Sequence, residues 1–278
     1  MHRRLTVRDA LLLGAVQGPS ELLPVSSSAH IALLADALGG PAAGAEEAEL
    51  RDALEVALHA GAAAALLIAG RGELSATARE LNGSRLVVGV LALAPAALVG
   101  YLLERGPRAR RGGPRVLATG LLLGAAGMVL ADARPQTRTL VQATPRDGLL
   151  LGVAQAAALL PGVSRNGATL TAARARGFER DAAQALSWRV GLPVILGAAA
   201  LKTRRLAQRG VSRETLRVLA LGAVAAFLST LAGAPLVGPG RRGRRLAPFA
   251  LYRIGVAVAA MCGPGLRNRL RGAHNRSR

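Results

Sequence analysis

Glu21 lies inside an apolar block, Leu11–Leu34. A carboxylate is costly in hydrocarbon, so one found there is a candidate for chemistry. Gln17 precedes it by one helical turn, which puts both side chains on one face. The block then breaks at Pro24 and continues as Ser26, Ser27, Ser28 and His30. A carboxylate with an amide oxygen suits a divalent cation, Mg2+ or Ca2+, which prefer oxygen ligands. His30 has the chemistry of a base, an acid or a nucleophile. Ser26 or Ser27 can cap the helix running on through Ile31, or attack phosphorus once a base takes the hydroxyl proton. His59, alone in its apolar stretch, reads as a satisfied core histidine.

A second polar run reads Pro161-Gly162-Val163-Ser164-Arg165-Asn166-Gly167-Ala168-Thr169. It combines a glycine turn, two hydroxyls, an amide and an arginine at the start of a helix. Backbone N–H groups at a helix N-terminus attract anions, and a guanidinium matches phosphate. It is no Walker loop, because the Gly-Lys-Ser/Thr end is missing. Together the two runs offer a carboxylate, hydroxyls and a histidine beside a phosphate clamp. That set suits hydrolysis of a lipid-linked phosphate, with positioning and charge neutralisation supplying most of the catalysis.

The elements that must carry these residues are long and apolar. Further blocks run over Val56–Gly70, Leu86–Leu103, Val116–Ala131, Gly148–Leu160, Val190–Leu201, Val218–Val237 and Pro248–Gly263. A membrane-crossing helix needs about 20 such residues. Several blocks approach that length, whereas Leu11–Leu34 and Gly148–Leu160 are cut by proline, glycine and serine. The cut blocks also resemble each other. Gly14-Ala15-Val16-Gln17 followed by Leu22-Leu23-Pro24-Val25-Ser26 parallels Gly152-Val153-Ala154-Gln155 followed by Leu159-Leu160-Pro161-Gly162-Val163-Ser164. Broken helices at matching places in two halves point to a site at the repeat interface. The reading is one membrane domain over 1–278, with repeats over about 1–131 and 146–263 and a basic tail over 264–278.

Composition narrows the class. Of 278 residues, 51% are hydrophobic and 19% charged, so intrinsic disorder is excluded. A single cysteine, Cys262, excludes an intrachain disulfide scaffold. The net charge of +20 raises nucleic acid as a partner, but aromatics make up only 2%. The arginines also cluster between apolar blocks, as in loops facing anionic lipid. Nucleic acid is therefore not expected. The basic start at Met1–Arg8 is followed by no small-residue cleavage site, so no cleavable signal peptide is read there.

The stretch Val16–His30 resembles the first signature of the undecaprenyl-diphosphate phosphatases, the bacitracin-resistance family, and Pro161–Thr169 resembles the second. Leu54–Gly61, the Pro95 segment, Pro193–Gly197 and Leu246–Ile254 also look like family segments. The resemblance implies an all-α, polytopic integral membrane protein with inverted-topology repeats, about six spanning helices and two re-entrant hairpins. It implies a divalent-cation-dependent enzyme that converts undecaprenyl diphosphate to undecaprenyl phosphate and inorganic phosphate. That recycles the lipid carrier for cell-wall synthesis and confers bacitracin resistance. The site is expected on the outer face of the cytoplasmic membrane, among membrane lipids, in a homodimer.

Carried over by motif, Glu21, Ser27, His30 and Arg165 match catalytic positions. Gln17, Ser26, Ser164, Asn166 and Thr169 match substrate- or phosphate-binding positions, and Glu21 and Gln17 the metal positions. Whether serine or histidine attacks is left open. Four positions depart from the pattern: Gln17 where glutamate is frequent, Ser28-Ala29 for Thr-Gly, Asn166 for serine, and Arg189 for an apolar residue. The competing class is a polyprenyl-phosphate transporter or flippase, since repeats and broken helices are also transporter architecture.

Overall fold

The computed structural model describes residues 6–38, 45–105, 113–208, 212–237 and 243–276. Gly39–Gly44, whose glycines and proline read as a loop, falls outside them. Eleven α-helices make up the described chain: α1 Val7–Leu22, α2 Ser27–Ala37, α3 Ala45–Ala69, α4 Arg71–Arg79, α5 Gly83–Arg105, α6 Pro114–Asp132, α7 Pro145–Ala157, α8 Arg165–Ala175, α9 Arg180–Gln208, α10 Arg213–Val237 and α11 Ala247–Arg276. Among the described residues, five segments are long and apolar enough to cross a membrane: Leu50–Ala69, Gly83–Leu103, Pro114–Asp132, Arg180–Arg204 and Arg213–Pro235. The sixth expected span corresponds to α11, whose apolar part among the described residues covers Ala247–Cys262. Leu130, Leu251 and Leu123 stand largely exposed on the outside of the bundle, as a lipid-facing surface requires.

The cut blocks form two helical hairpins, α1–α2 and α7–α8. Each opens on a Thr-x-Arg-Asp box. Asp9 accepts from the Thr6 N–H at 3.1 Å and hydroxyl at 2.8 Å, and Asp147 accepts from the Thr144 N–H at 2.9 Å and hydroxyl at 2.7 Å. These boxes satisfy N–H groups that a helix start leaves unpaired. Each hairpin turns at a strained or glycine position. Ser26 has φ 76° and Gly162 has φ 85°. Ser26 is the one non-glycine with positive φ among the described residues, a conformation that persists only when neighbours enforce it.

The hairpins are clamped by the other half of the chain. Helix α1 packs along α10, and α7 packs along α5. A Cβ on Gly14 would overlap the Gly222 carbonyl of α10, and one on Gly152 the Leu91 carbonyl of α5. Small residues at matched places let the backbones close up, which is how helices associate without a water-driven term. Helices α3 and α9 also pack together, as do α6 and α11. The core gathers on both sides. Leu13, Leu58 and Leu219 cluster around α1, while Leu151, Leu170 and Phe178 cluster around α7.

Two ion-pair groups fix the polar ends. Arg189 donates to Glu73 at 2.7 Å and Glu80 at 3.0 Å, which ties the short α4 onto α9. That contact gives the unusual arginine a local reason. Asp147, at the mouth of α7 and outside the five spans, accepts from Arg138 at 2.7 and 3.0 Å and from Arg176 at 2.7 Å. Burial alone would raise its pKa, but the two guanidiniums and the Thr144 donors outweigh it and hold the carboxyl well below the usual range. The stabilisation is thus fully present above about pH 4, the unfolded value. It is lost as pH falls through the depressed folded value. Asp147→Asn is expected to destabilise by roughly 1.5–3 kcal/mol, the scale of hydrogen bonds to a charged group, because Arg138 and Arg176 are partly open to solvent. Thermal melts from pH 7 downward check this: the gap to the unmutated protein should hold to about pH 4 and narrow progressively below it.

Candidate functional site

The two hairpin turns meet at Glu21. Its Oε2 accepts from Ser27 Oγ at 2.6 Å and from Gln17 Nε2 at 3.4 Å. Its Oε1 accepts from Arg165 Nη2 at 3.4 Å, across 144 positions of sequence. His59 Nε2 stands 3.9 Å from Oε2. The Glu21 side chain is only 9% exposed, so these contacts act with little screening. A hydroxyl at 2.6 Å from a carboxylate is a charge-assisted pair with the geometry of a nucleophile and its base.

Helix geometry aims this cluster. Ser27 is the first residue of α2 and Arg165 the first of α8. Both helices therefore present their N-terminal ends, with free N–H groups and positive dipole ends, to the same place. A cavity of about 630 Å³ opens there, lined by Glu21, Ser26, Ser27, His59, Ser164 and Arg165 among others. Its farther walls are largely apolar, including Leu33, Leu117, Leu160 and Val194. Such a cavity combines an anion-binding floor with room for hydrocarbon.

Sequence-derived candidates divide by where they point. Glu21, Ser27 and Arg165 come together directly, and Gln17 joins them through Glu21. Ser26 lines the cavity but makes no side-chain cap to α2. Its positive φ brings Oγ to Ser28 Oγ at 3.3 Å instead, so the expected cap is absent. Ser164 does cap, accepting from the Gly167 N–H at 3.1 Å. Thr169 is fully buried and bonds Ser187 Oγ at 2.6 Å. Asn166 donates to the Leu22 carbonyl at 2.9 Å and accepts from Ser187 at 2.9 Å. These bonds fasten α8 to the end of α1 through Asn166 and to α9 through Ser187, so Thr169 acts on the site through packing.

His30 faces away from Glu21. Its Nδ1–H donates to the Ser26 carbonyl at 2.7 Å, and Nε2 meets the Tyr252 hydroxyl at 2.7 Å. The two rings stack at 5.5 Å and 2°. His30 thereby holds the strained Ser26 turn. His59, read from sequence as a core residue, is the histidine that faces the carboxylate. Its Nδ1–H donates to the Glu55 carbonyl at 2.8 Å, which turns Nε2 toward Glu21. The signal for it was a polar side chain inside a membrane-length apolar block, the same signal that marked Glu21.

A divalent cation at this site would need oxygen donors. Among the described residues no three His, Cys, Asp or Glu side chains come together. Glu21 does offer a carboxylate, and Gln17 Oε1 is buried without a partner. One carboxylate completed by phosphate oxygens and water is a normal Mg2+ arrangement. The residues fit a cation that arrives with a phosphorylated substrate.

Five membrane-length helices among the described residues, three of which (α3, α6 and α9) line a charged cavity at two broken helices, define a multi-pass helical membrane protein. The sequence pattern of the family described as Bacitracin resistance protein BacA matches residues 10–259, and the chain belongs to that family. It is 35% identical to the undecaprenyl-diphosphatase of Pelobacter propionicus, covering 94% of this chain and 99% of the relative. It is 36% identical to the undecaprenyl-diphosphatase of Geobacter sulfurreducens, covering 92% and 98%. The undecaprenyl-diphosphatase of Thermomicrobium roseum is 34% identical over 81% of this chain and 86% of its own length.

Proposed function

We propose that this chain hydrolyses undecaprenyl diphosphate to undecaprenyl phosphate and inorganic phosphate. The observation that carries the reading is the Ser27–Glu21–Arg165 contact within a family of that activity. Arg165 and the N-terminal ends of α2 and α8 bind the terminal phosphate. As Ser27 Oγ bonds to the terminal phosphorus, its proton passes to Glu21. The bridging P–O bond breaks, and undecaprenyl phosphate leaves with the bridging oxygen, the electron pair and, through Glu21, the proton. Water then bonds to the phosphoserine phosphorus and gives its proton to Glu21. The P–Oγ bond breaks, Oγ takes that proton back, and inorganic phosphate leaves. Most of the barrier reduction comes from positioning and charge neutralisation. A divalent cation would be held by Glu21 and Gln17 Oε1 and would neutralise diphosphate charge. His59 Nε2 supplies a further contact to the phosphate at the Glu21 side.

The reading extends to topology. The shared Thr-x-Arg-Asp boxes, the matched glycines and the exchanged pairings α1–α10 and α7–α5 support inverted repeats over about 1–131 and 146–263. On this reading α1–α2 and α7–α8 are re-entrant hairpins, tolerated because protein and the hydrated cavity satisfy their turns. The basic tail over 264–278 follows the repeats. A site on the outer face of the cytoplasmic membrane and a homodimer complete the reading, both on the resemblance alone. Removing the diphosphate lipid would confer bacitracin resistance.

The test is phosphate release from undecaprenyl diphosphate by purified protein, with and without added Mg2+ or Ca2+. Metal-stimulated release is expected, and no release from folded protein sinks the reading. A finer prediction concerns Gly191 of α9, where a Cβ would overlap Arg165 Nη1. Gly191→Ala should displace the guanidinium and lower kcat/KM by about tenfold or more, since small misplacements are costly at such sites. An unchanged kcat/KM would show that Arg165 works from elsewhere.

A further inference from the structure

Arg253 lies on α11 inside its apolar segment, and it is fully buried. Its hydrogen bonds end on backbone carbonyls of three elements. Nη1 donates to Pro24 at 3.3 Å, and Nη2 donates to Gly162 at 3.0 Å and Gly120 at 3.2 Å. Nε donates to Leu121 at 3.2 Å. Pro24 and Gly162 occupy equivalent places. Each lies two residues before the N-cap of its helix, Ser26 for α2 and Ser164 for α8. One planar fork therefore spans both turns, and the residue after each cap is Ser27 or Arg165.

The surroundings are shaped for this cation. A Cβ on Gly124 of α6 would overlap Nη2, and one on Gly167 of α8 would come within 3.2 Å of Nη1. Turn carbonyls at membrane depth need donors, and a rigid guanidinium supplies five N–H groups in fixed directions. An apolar side chain of the same length would fill the space without linking the turns. The neighbouring Tyr252 holds His30, and through it the Ser26 carbonyl. Adjacent residues of α11 thus grip the first turn at two points.

We propose that Arg253 is a positioning residue of the hydrolytic site. It sets the span between Ser27 and Arg165 by holding the two turns at a fixed separation. The proposal rests on the hydrolase reading for its kinetic effect, but its geometric effect stands independently.

Arg253→Lys and Gly124→Ala are the test variants, the second because it displaces the guanidinium while leaving Arg253 in place. Each is purified and checked for monodispersity and melting temperature. Then kcat and KM are measured on undecaprenyl diphosphate. Spin labels on Leu23→Cys and Leu160→Cys, in a Cys262→Ser background, report the distance between the turns. The expected result is a loss of about 10- to 100-fold in kcat, with KM little changed, in protein that stays folded. The label distance should broaden or shift. Folded variants with kcat within a few-fold of the parent, or a kcat loss that only tracks unfolded protein at an unchanged label distance, would overturn the proposal. A parent protein that releases no phosphate overturns the hydrolase reading instead, and the label distance still decides whether Arg253 sets the span.

Discussion

Ser27→Ala is expected to lower kcat for phosphate release by at least ~10³-fold, the scale seen when a nucleophile is removed. That is about 4 kcal/mol of barrier. The expectation rests on one contact, the 2.6 Å hydrogen bond from Ser27 Oγ to Glu21. Alanine is a good helix residue, and the Ser27 hydroxyl bonds Glu21 outside α2, so the fold should tolerate the change. Single-turnover assays on undecaprenyl diphosphate check it, with substrate binding measured alongside. Retained binding with lost turnover supports the serine as nucleophile. A rate within tenfold of the parent would move the attacking role to another group. The same variant separates hydrolysis from lipid transport, because a flippase has no use for the hydroxyl.

Arg165→Lys should cost roughly 10²–10³-fold in kcat, the range for removing one preorganised electrostatic donor. Lysine keeps the charge, so the loss isolates the guanidinium geometry. Arg165 reaches Glu21 at 3.4 Å while passing over Gly191, a path that suits a flat fork. An ammonium is compact and strongly hydrated, and it cannot bridge two phosphate oxygens the same way. Near-normal turnover in Arg165→Lys would reduce the clamp to a simple charge. Comparing inorganic phosphate inhibition of the two proteins shows whether the loss falls on the bound ground state or on the transition state.

Glu21 and Ser27 are legible because each breaks an apolar block with a group that hydrocarbon does not accommodate, and Arg165 because it sits in the polar run where such a block stops. The membrane-length helices were legible for the same reason in reverse. The direction of each side chain was not. Asn166 and Thr169 have the composition of phosphate ligands, but Ser187 on α9 engages both. His59 looked solitary because its partner Glu21 lies on another helix, and no local periodicity reports that contact. His30 sits beside the serines in sequence, yet Tyr252 draws its ring away. Arg253 was visible as an arginine inside an apolar block, and the carbonyls it serves were not. Helix α4 is short and polar, so it leaves no mark in the pattern of apolar blocks.

The pairing of α1 with α10 has a consequence for biogenesis. Ser229 of α10 donates to the Gly14 carbonyl of α1 at 2.8 Å, across 215 positions of chain. At typical synthesis rates the first hairpin waits roughly 10–40 s before the helix that clamps it emerges. During that wait its polar turn has no cavity to complete it. The nascent hairpin therefore depends on the insertion machinery, or on the membrane surface, until translation of the second half is nearly finished. Defects in α10 should then appear first as degradation of a chain whose earliest helix has nowhere to dock.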